Sequence, residues 1–133
     1  MKIVINTVFG GFSLSDVALC LYASKKSITL YPTSDEYHTT YFTVPEGEQF
    51  KWSDSMSREE RIAVSSQINE QILYSGNIPR DDTALVQVVQ ELGAAADGEY
   101  SVLKIVDIPD EIDWYIVEYD GKEHVAETHK TWS

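Results

Sequence analysis

The sequence predicts an α+β fold, with a mixed or largely antiparallel sheet and about three helices packed against it, formed by residues 1–133 as a single domain. Three features lead to this reading. Apolar residues recur at i, i+3, i+4, i+7 in separate stretches, the spacing that gathers them on one face of a helix. Runs rich in β-branched and aromatic residues lie between those stretches. Near the carboxyl end, Asp120-Gly121 stands between two such runs, the mark of a two-residue hairpin.

The elements follow in order. Residues 2–7, rich in Ile and Val, read as a short buried strand. Phe9-Gly10-Gly11-Phe12 is a turn, and Ser13 and Ser15 are candidate caps for a helix whose apolar stripe is Leu14, Val17, Ala18 and Leu21. That helix ends near Lys25-Lys26, where cations suit a helix carboxyl end. A second short strand is expected at 28–31, a turn at Pro32-Thr33-Ser34-Asp35, a strand within 36–44 and a loop over 46–56. Ser57 followed three residues later by Glu60 is a capping-box signature. It opens a helix to about residue 74, carried by Ile62, Val64, Ile68, Ile72 and Leu73. Asp81 or Asp82 caps the best-defined helix, with Leu85, Val88, Val89 and Leu92 on one face and a stop at Gly93, or at Asp97-Gly98 if the alanines 94–96 prolong it. A strand at 101–108 and the hairpin around Asp120-Gly121 complete the chain.

Composition narrows the function. Lys and Arg number 10 against 22 Asp and Glu, a net charge of −12, so direct nucleic-acid binding through a basic surface is not expected. No apolar run approaches the ~20 residues of a membrane span, and the opening Met1-Lys2-Ile3-Val4-Ile5-Asn6 turns polar too soon for a signal peptide. A cytoplasmic protein is the expectation. The single cysteine, Cys20, rules out an internal disulfide and reads as a small packed residue beside the first helix's stripe. His38, His124 and His129 have no metal-ligand spacing, and Trp52, Trp114 and Trp132 read as core or interface anchors. No metal, cofactor or serine-nucleophile motif is present, so an enzyme is the less favoured reading.

Three constellations remain. A strand feeding Gly10-Gly11 and then a helix start leaves backbone N–H groups that attract anions, with hydroxyls from Ser13 and Ser15 and rings from Phe9 and Phe12 beside them. The plain alternative is a tight turn with two core phenylalanines. Arg80 is the second: its planar fork suits a phosphate or carboxylate, unless it simply pairs with its neighbours Asp81 and Asp82. The third is the acidic segment from Ile105 to Glu127, where the hairpin register sets Glu118 opposite Glu123. Such a pair can share a proton, bind a cation, meet an Arg from elsewhere or serve a glycosidase-like mechanism; the plain alternative is a solvated face.

Asn6-Thr7-Val8-Phe9-Gly10-Gly11-Phe12-Ser13-Leu14-Ser15, Ile78-Pro79-Arg80-Asp81-Asp82, Leu103-Lys104-Ile105-Val106-Asp107-Ile108-Pro109-Asp110 and Glu118-Tyr119-Asp120-Gly121 together resemble a family of small phage and prophage proteins. The resemblance spans nearly the whole chain, and none of its motifs names a reaction. It implies a setting in the bacterial host cytoplasm and a role against host defence. Some proteins of this kind act as sponges for the cyclic nucleotides or cyclic ADP-ribose isomers of defence signalling. No site residue is carried over.

The expected function is sequestration, without turnover, of a small phosphorylated signalling molecule by Phe9, Gly10, Gly11, Phe12, Ser13, Ser15 and Arg80, at a site completed in a homo-oligomer. Two alternatives stand beside it: an acidic protein-interaction inhibitor that mimics nucleic acid, and a carboxylate-dependent hydrolase.

Overall fold

The computed structural model describes residues 1–128, so the readings of His129 and Trp132 fall outside it. The fold is α+β: among the described residues, three α-helices accompany strands that pair two by two, each pair antiparallel. The chain packs as two compact units, one made of Met1–Lys26 with the chain from Ser75 onward, the other of Ser27–Tyr74. No helix among the described residues is long and apolar enough to cross a membrane.

In the first unit, β1 (Lys2–Asn6) pairs with β4 (Leu103–Asp107), Ile3 opposite Val106 and Ile5 opposite Lys104. Ile3, Val4, Ile5 and Asn6 are all buried, which explains why this strand reads as a nearly continuous apolar run. Helix α3 (Thr83–Leu92) packs against β1 and β4 and buries Leu85, Val86, Val88 and Val89. Asp82 is its cap, accepting from the N–H groups of Ala84 and Leu85, and Gly93 at φ 55° stops it. The alanines that follow form a 3-10 turn over Gly93–Ala96.

Helix α1 (Asp16–Lys25) is capped by Ser15, as the sequence indicates. Its buried face is Ala18, Leu19, Tyr22 and Ala23, shifted from the expected stripe. Val17 is 61% exposed, and Leu14 is buried before the helix begins, bridging Asp97. Apolar residues surround α1 on nearly every side, so periodicity alone does not select the face; packing against α3 does. Cys20 lies away from that face and is exposed, not packed.

The carboxyl-terminal hairpin joins β5 (Trp114–Tyr119) to β6 (Lys122–Glu127). Asp120 at φ 52° and Gly121 at φ 91° make the two-residue turn, both central residues in the left-handed region that matches the twist of the strands. Tyr119 opposes Lys122 and Glu118 opposes Glu123, as the sequence register requires.

The second unit holds β2 (Tyr31–Ser34), β3 (Thr39–Phe42) and α2 (Arg58–Glu70). The strand expected at 28–31 lies later, through the residues assigned to a turn. Pro32 is tolerated there because Asp35 N–H bonds His38 O at the closed end, which leaves Pro32 on the outward-pointing side of the ladder. The turn is instead Asp35–His38, tightened by Asp35 Oδ1 accepting from the N–H groups of Tyr37 and His38 at 2.8 and 2.9 Å. These bonds hold the Asp35 carboxyl below the usual carboxylate range. Glu46–Glu48, expected as loop, form one 3-10 turn. Ser57 Oγ accepts from Glu60 N–H and opens α2. The helix ends at Glu70, short of residue 74, because Ile72 bridges Phe42 and Leu73 N–H bonds Tyr41 O, which turns this segment into a companion of β3.

Candidate functional site

β1 delivers the chain to the glycine loop, and the hairpin tip lies against that loop. Gly10 N–H donates to Asp120 O at 3.2 Å. A Cβ on Gly121 would strike the backbone nitrogens of Gly10 and Gly11, and one on Gly10 would meet Tyr100 O at 2.7 Å. Both backbones are also in conformations that L residues rarely adopt. These glycines therefore permit close approach of loop and turn.

Asn6, fully buried at the end of β1, ties the region together. Its Nδ2 donates to Val8 O at 2.7 Å and to Gly121 O at 2.8 Å, and its Oδ1 accepts from Val102 N–H at 3.0 Å. Loop, hairpin tip and the entry to β4 thus meet on one side chain whose polar atoms are satisfied, as burial demands.

Arg80 is the centre of the charge arrangement. Its Nη1 and Nη2 donate to Glu123 Oε1 and Oε2 at 2.6 and 3.0 Å, a bidentate pair. Glu123 is only 8% exposed, and its Oε1 also accepts from Asn6 N–H at 2.8 Å. The guanidinium carbon lies 3.5 Å from the centre of the Phe12 ring, a stacked cation–π contact. The backbone joins in, with Val4 N–H donating to Arg80 O at 2.9 Å. The open edge of β1 is therefore closed by residue 80 and by the Glu123 carboxylate rather than by another strand.

This geometry sorts the residues singled out from the sequence. Phe12 and Arg80 come together. Phe9 is 59% exposed and meets Tyr119 edge-to-face at 6.4 Å, with Lys122 Nζ 5.9 Å from its ring centre. Ser15 Oγ caps α1 and donates to Ala95 O at 2.6 Å. Ser13 contributes chiefly its carbonyl, which accepts from Ser101 Oγ at 2.8 Å. The acidic hairpin pair also divides: Glu123 turns inward to Arg80, and Glu118 Oε1 accepts from Gly121 N–H at 2.8 Å. Of the outcomes open for Glu118 and Glu123, the structure realises an arginine arriving from elsewhere. Arg80 does not pair with its neighbouring aspartates; Asp82 pairs with Lys26 at 3.2 Å. Asn6 escaped sequence reasoning because a polar residue closing an apolar run looks like a strand end.

Two depressions border these residues. One, of about 440 Å³, is lined by Gly10, Gly11, Gly121 and the acids Glu118 and Asp120. An anion there would face two carboxylates. The other, of about 570 Å³, lies at the start of α3 beside Lys25, Lys26, Asp81 and Asp82. Its lysines are already paired, Lys25 with Glu91 at 2.9 Å and Lys26 with Asp82. Burial works against the ionised Asp82, yet the Leu85 N–H, Lys26, Tyr22 and Ala84 N–H donors together hold its carboxyl below the usual range. Burial, with the Asp82 carboxylate, pushes the Tyr22 phenol up to about 12. Among the described residues no group of three or more His, Cys, Asp and Glu is placed to hold a metal ion. Comparison with protein-family models, with curated proteins and with solved structures finds no match to the chain.

Proposed function

We propose that the chain is a non-catalytic interaction protein whose acidic surface engages a basic partner, as an inhibitor imitating the charge of nucleic acid would. One observation carries this reading: Arg80, the cation beside the candidate loop, is neutralised inside the fold by Glu123. The outward charge around the loop and hairpin is then mainly acidic, and the chain as a whole carries −12. Such a field draws cationic partners and repels phosphates. The resemblance to phage proteins supplies the proposed setting, a host protein whose basic groove is blocked.

Sequestration of a phosphorylated signal is the second reading, favoured by two local facts. Arg80 and Phe12 stand together at the loop, and the N–H groups of Gly11, Phe12 and Ser13 carry no hydrogen bond among the described residues. It asks the ligand to displace Glu123, which would leave a buried carboxylate without its counter-ion. The paired-carboxylate hydrolase loses its support, since Glu118 and Glu123 are each engaged by the fold.

Calorimetric titration discriminates the two binding readings. A lysine-rich peptide is expected to bind with an affinity that falls steeply as salt rises. A cyclic dinucleotide and cyclic ADP-ribose are expected to give no heat of binding. Saturable nucleotide binding with silence toward the peptide would reverse the order.

A further inference from the structure

We propose that the outer edge of β5 is the docking strand for the basic partner, which adds an extended cationic segment to the hairpin as a third strand; the inference rests on the acidic-surface reading above. The hydrogen-bond pattern defines which edge is meant. Thr128 N–H donates to Asp113 O, so the ladder-facing residues of β5 are Tyr115, Val117 and Tyr119, by the alternation of an antiparallel pair. Trp114, Ile116 and Glu118 then aim their N–H and C=O groups away from β6. Among the described residues no strand pairs with that side.

Open edges are ordinarily blunted by proline, lysine or a bulge. This one has none: Trp114-Tyr115-Ile116-Val117-Glu118-Tyr119 pairs with β6 residue for residue, without interruption. Tyr115 is half-exposed and Tyr119 is 77% exposed, so an added strand would find aromatic surface beside it. A two-stranded hairpin is also the sheet form that gains most from a third strand.

Charge chooses the occupant. Glu111 and Asp113 stand exposed at one end of the edge, Glu118 and Asp120 at the other, and among the described residues none of the four makes an ion pair. A second copy pairing antiparallel would bring the Asp113 end of each edge onto the Glu118–Asp120 end of the other, acid against acid. An extended segment carrying Lys or Arg near both of its ends meets acids at both ends, and its main chain satisfies the edge. A basic partner is therefore favoured over self-association.

The test is a titration of isotope-labelled full chain with an acetylated, amidated Lys-Val-Lys-Val-Lys-Val peptide, followed by amide exchange. The expected result is slowed exchange at Trp114, Ile116 and Glu118, absent with the Glu-Val-Glu-Val-Glu-Val peptide and weakened several-fold in Asp113→Lys. Salt-dependent peptide binding without protection of those three amides would overturn the edge assignment and leave the acidic-surface reading intact. No binding of the cationic peptide anywhere would overturn both. Protection that grows with protein concentration alone would assign the edge to a second copy instead.

Discussion

The two units of the chain are built on different terms. Among the described residues, the first buries fourteen of the hydrophobic side chains that are out of solvent, from Ile3 to Ala96; the second buries one, Ile68. Over the same 48 residues the second unit exposes Tyr31, Tyr37, Phe50, Trp52, Ile62 and Tyr74. Hydrogen bonds do the work of packing there. Gln71 donates to Glu48 O and accepts from Phe50 N–H, Trp52 Nε1 donates to Ser65 Oγ, and Thr43 N–H donates to Gln71 O. Most of these bonds are reached by water, so each contributes little net free energy. Burial rather than hydrogen-bond number should therefore set the local stability of each unit.

The largest expected effect breaks the first unit at its charged staple. Glu123→Ala leaves the part-buried Arg80 beside Phe12 without its counter-ion and frees the buried Asn6 N–H, and should cost about 3 kcal/mol in denaturant unfolding, the low end for a broken buried pair. An apolar replacement of both partners, Arg80→Met with Glu123→Leu, should recover much of that loss, since it removes the charge rather than orphaning it. A Glu123→Ala variant as stable as the parent would mean the pair is solvated in solution.

Of similar size is a matched truncation. Leu85, wholly buried on α3, should lose about 2–5 kcal/mol as Leu85→Ala. Ile62, 61% exposed on α2, should change by roughly 0.5 kcal/mol or less as Ile62→Ala. Native-state amide exchange sharpens the same contrast, with the α2 amides opening at lower free energy than those of β1. Equal costs for the two truncations, or equal protection of the two elements, would show that the second unit is held by burial as firmly as the first.

How much of this was legible in the sequence cuts across that division. Where the local signal is unambiguous, the sequence reading is accurate: β1, the caps Ser15, Ser57 and Asp82, the face of α3 and the Asp120-Gly121 turn all stand. It slips where local signals are indifferent. α1 offers apolar residues on nearly every side, so Val17 and Cys20 read as inward and lie outward. In the second unit Pro32 reads as a turn because its outward ladder position depends on where Asp35 and His38 close the hairpin. The site shows the sharper limit. Phe12 and Arg80 both stand out in the sequence, but the stacking of Arg80 on Phe12 and its pairing with Glu123 join residues 12, 80 and 123, a relation no local pattern contains. Asn6, which fixes the loop on the hairpin, opens one of the quoted motifs, yet nothing local in that motif shows that its side chain bonds Gly121 and Val102.

The pH response offers a smaller test, read through Tyr22 and Asp82 between α1 and α3. Asp82 ionises more readily folded than unfolded, so its contribution is present above the ordinary carboxylate value of 3.8 and is lost as pH falls through its lower folded value. Tyr22 works at the other end. Its phenol is raised from 10.0 to about 12, so the unfolded chain releases that proton first, and stability should fall as pH climbs from 10 toward 12. Tyr22→Phe keeps the ring and removes both the titration and the bond to Asp82, so its alkaline slope should be shallower than the parent's over that window. An identical slope would assign the alkaline loss to other groups.

The smallest expected effect lies in the second unit. Ser57 Oγ satisfies Glu60 N–H at 3.2 Å on an exposed helix end. Ser57→Ala should cost roughly 0.5–1 kcal/mol, the low end for a lost cap, because water can replace the hydroxyl. If the second unit opens on its own, that loss should appear in full in the exchange of α2 amides yet leave the global unfolding midpoint almost unmoved. If the two units unfold as one, the midpoint should shift by the same free energy that the α2 amides report. One exposed serine thus tests whether the contrast between the units is also a boundary of cooperativity.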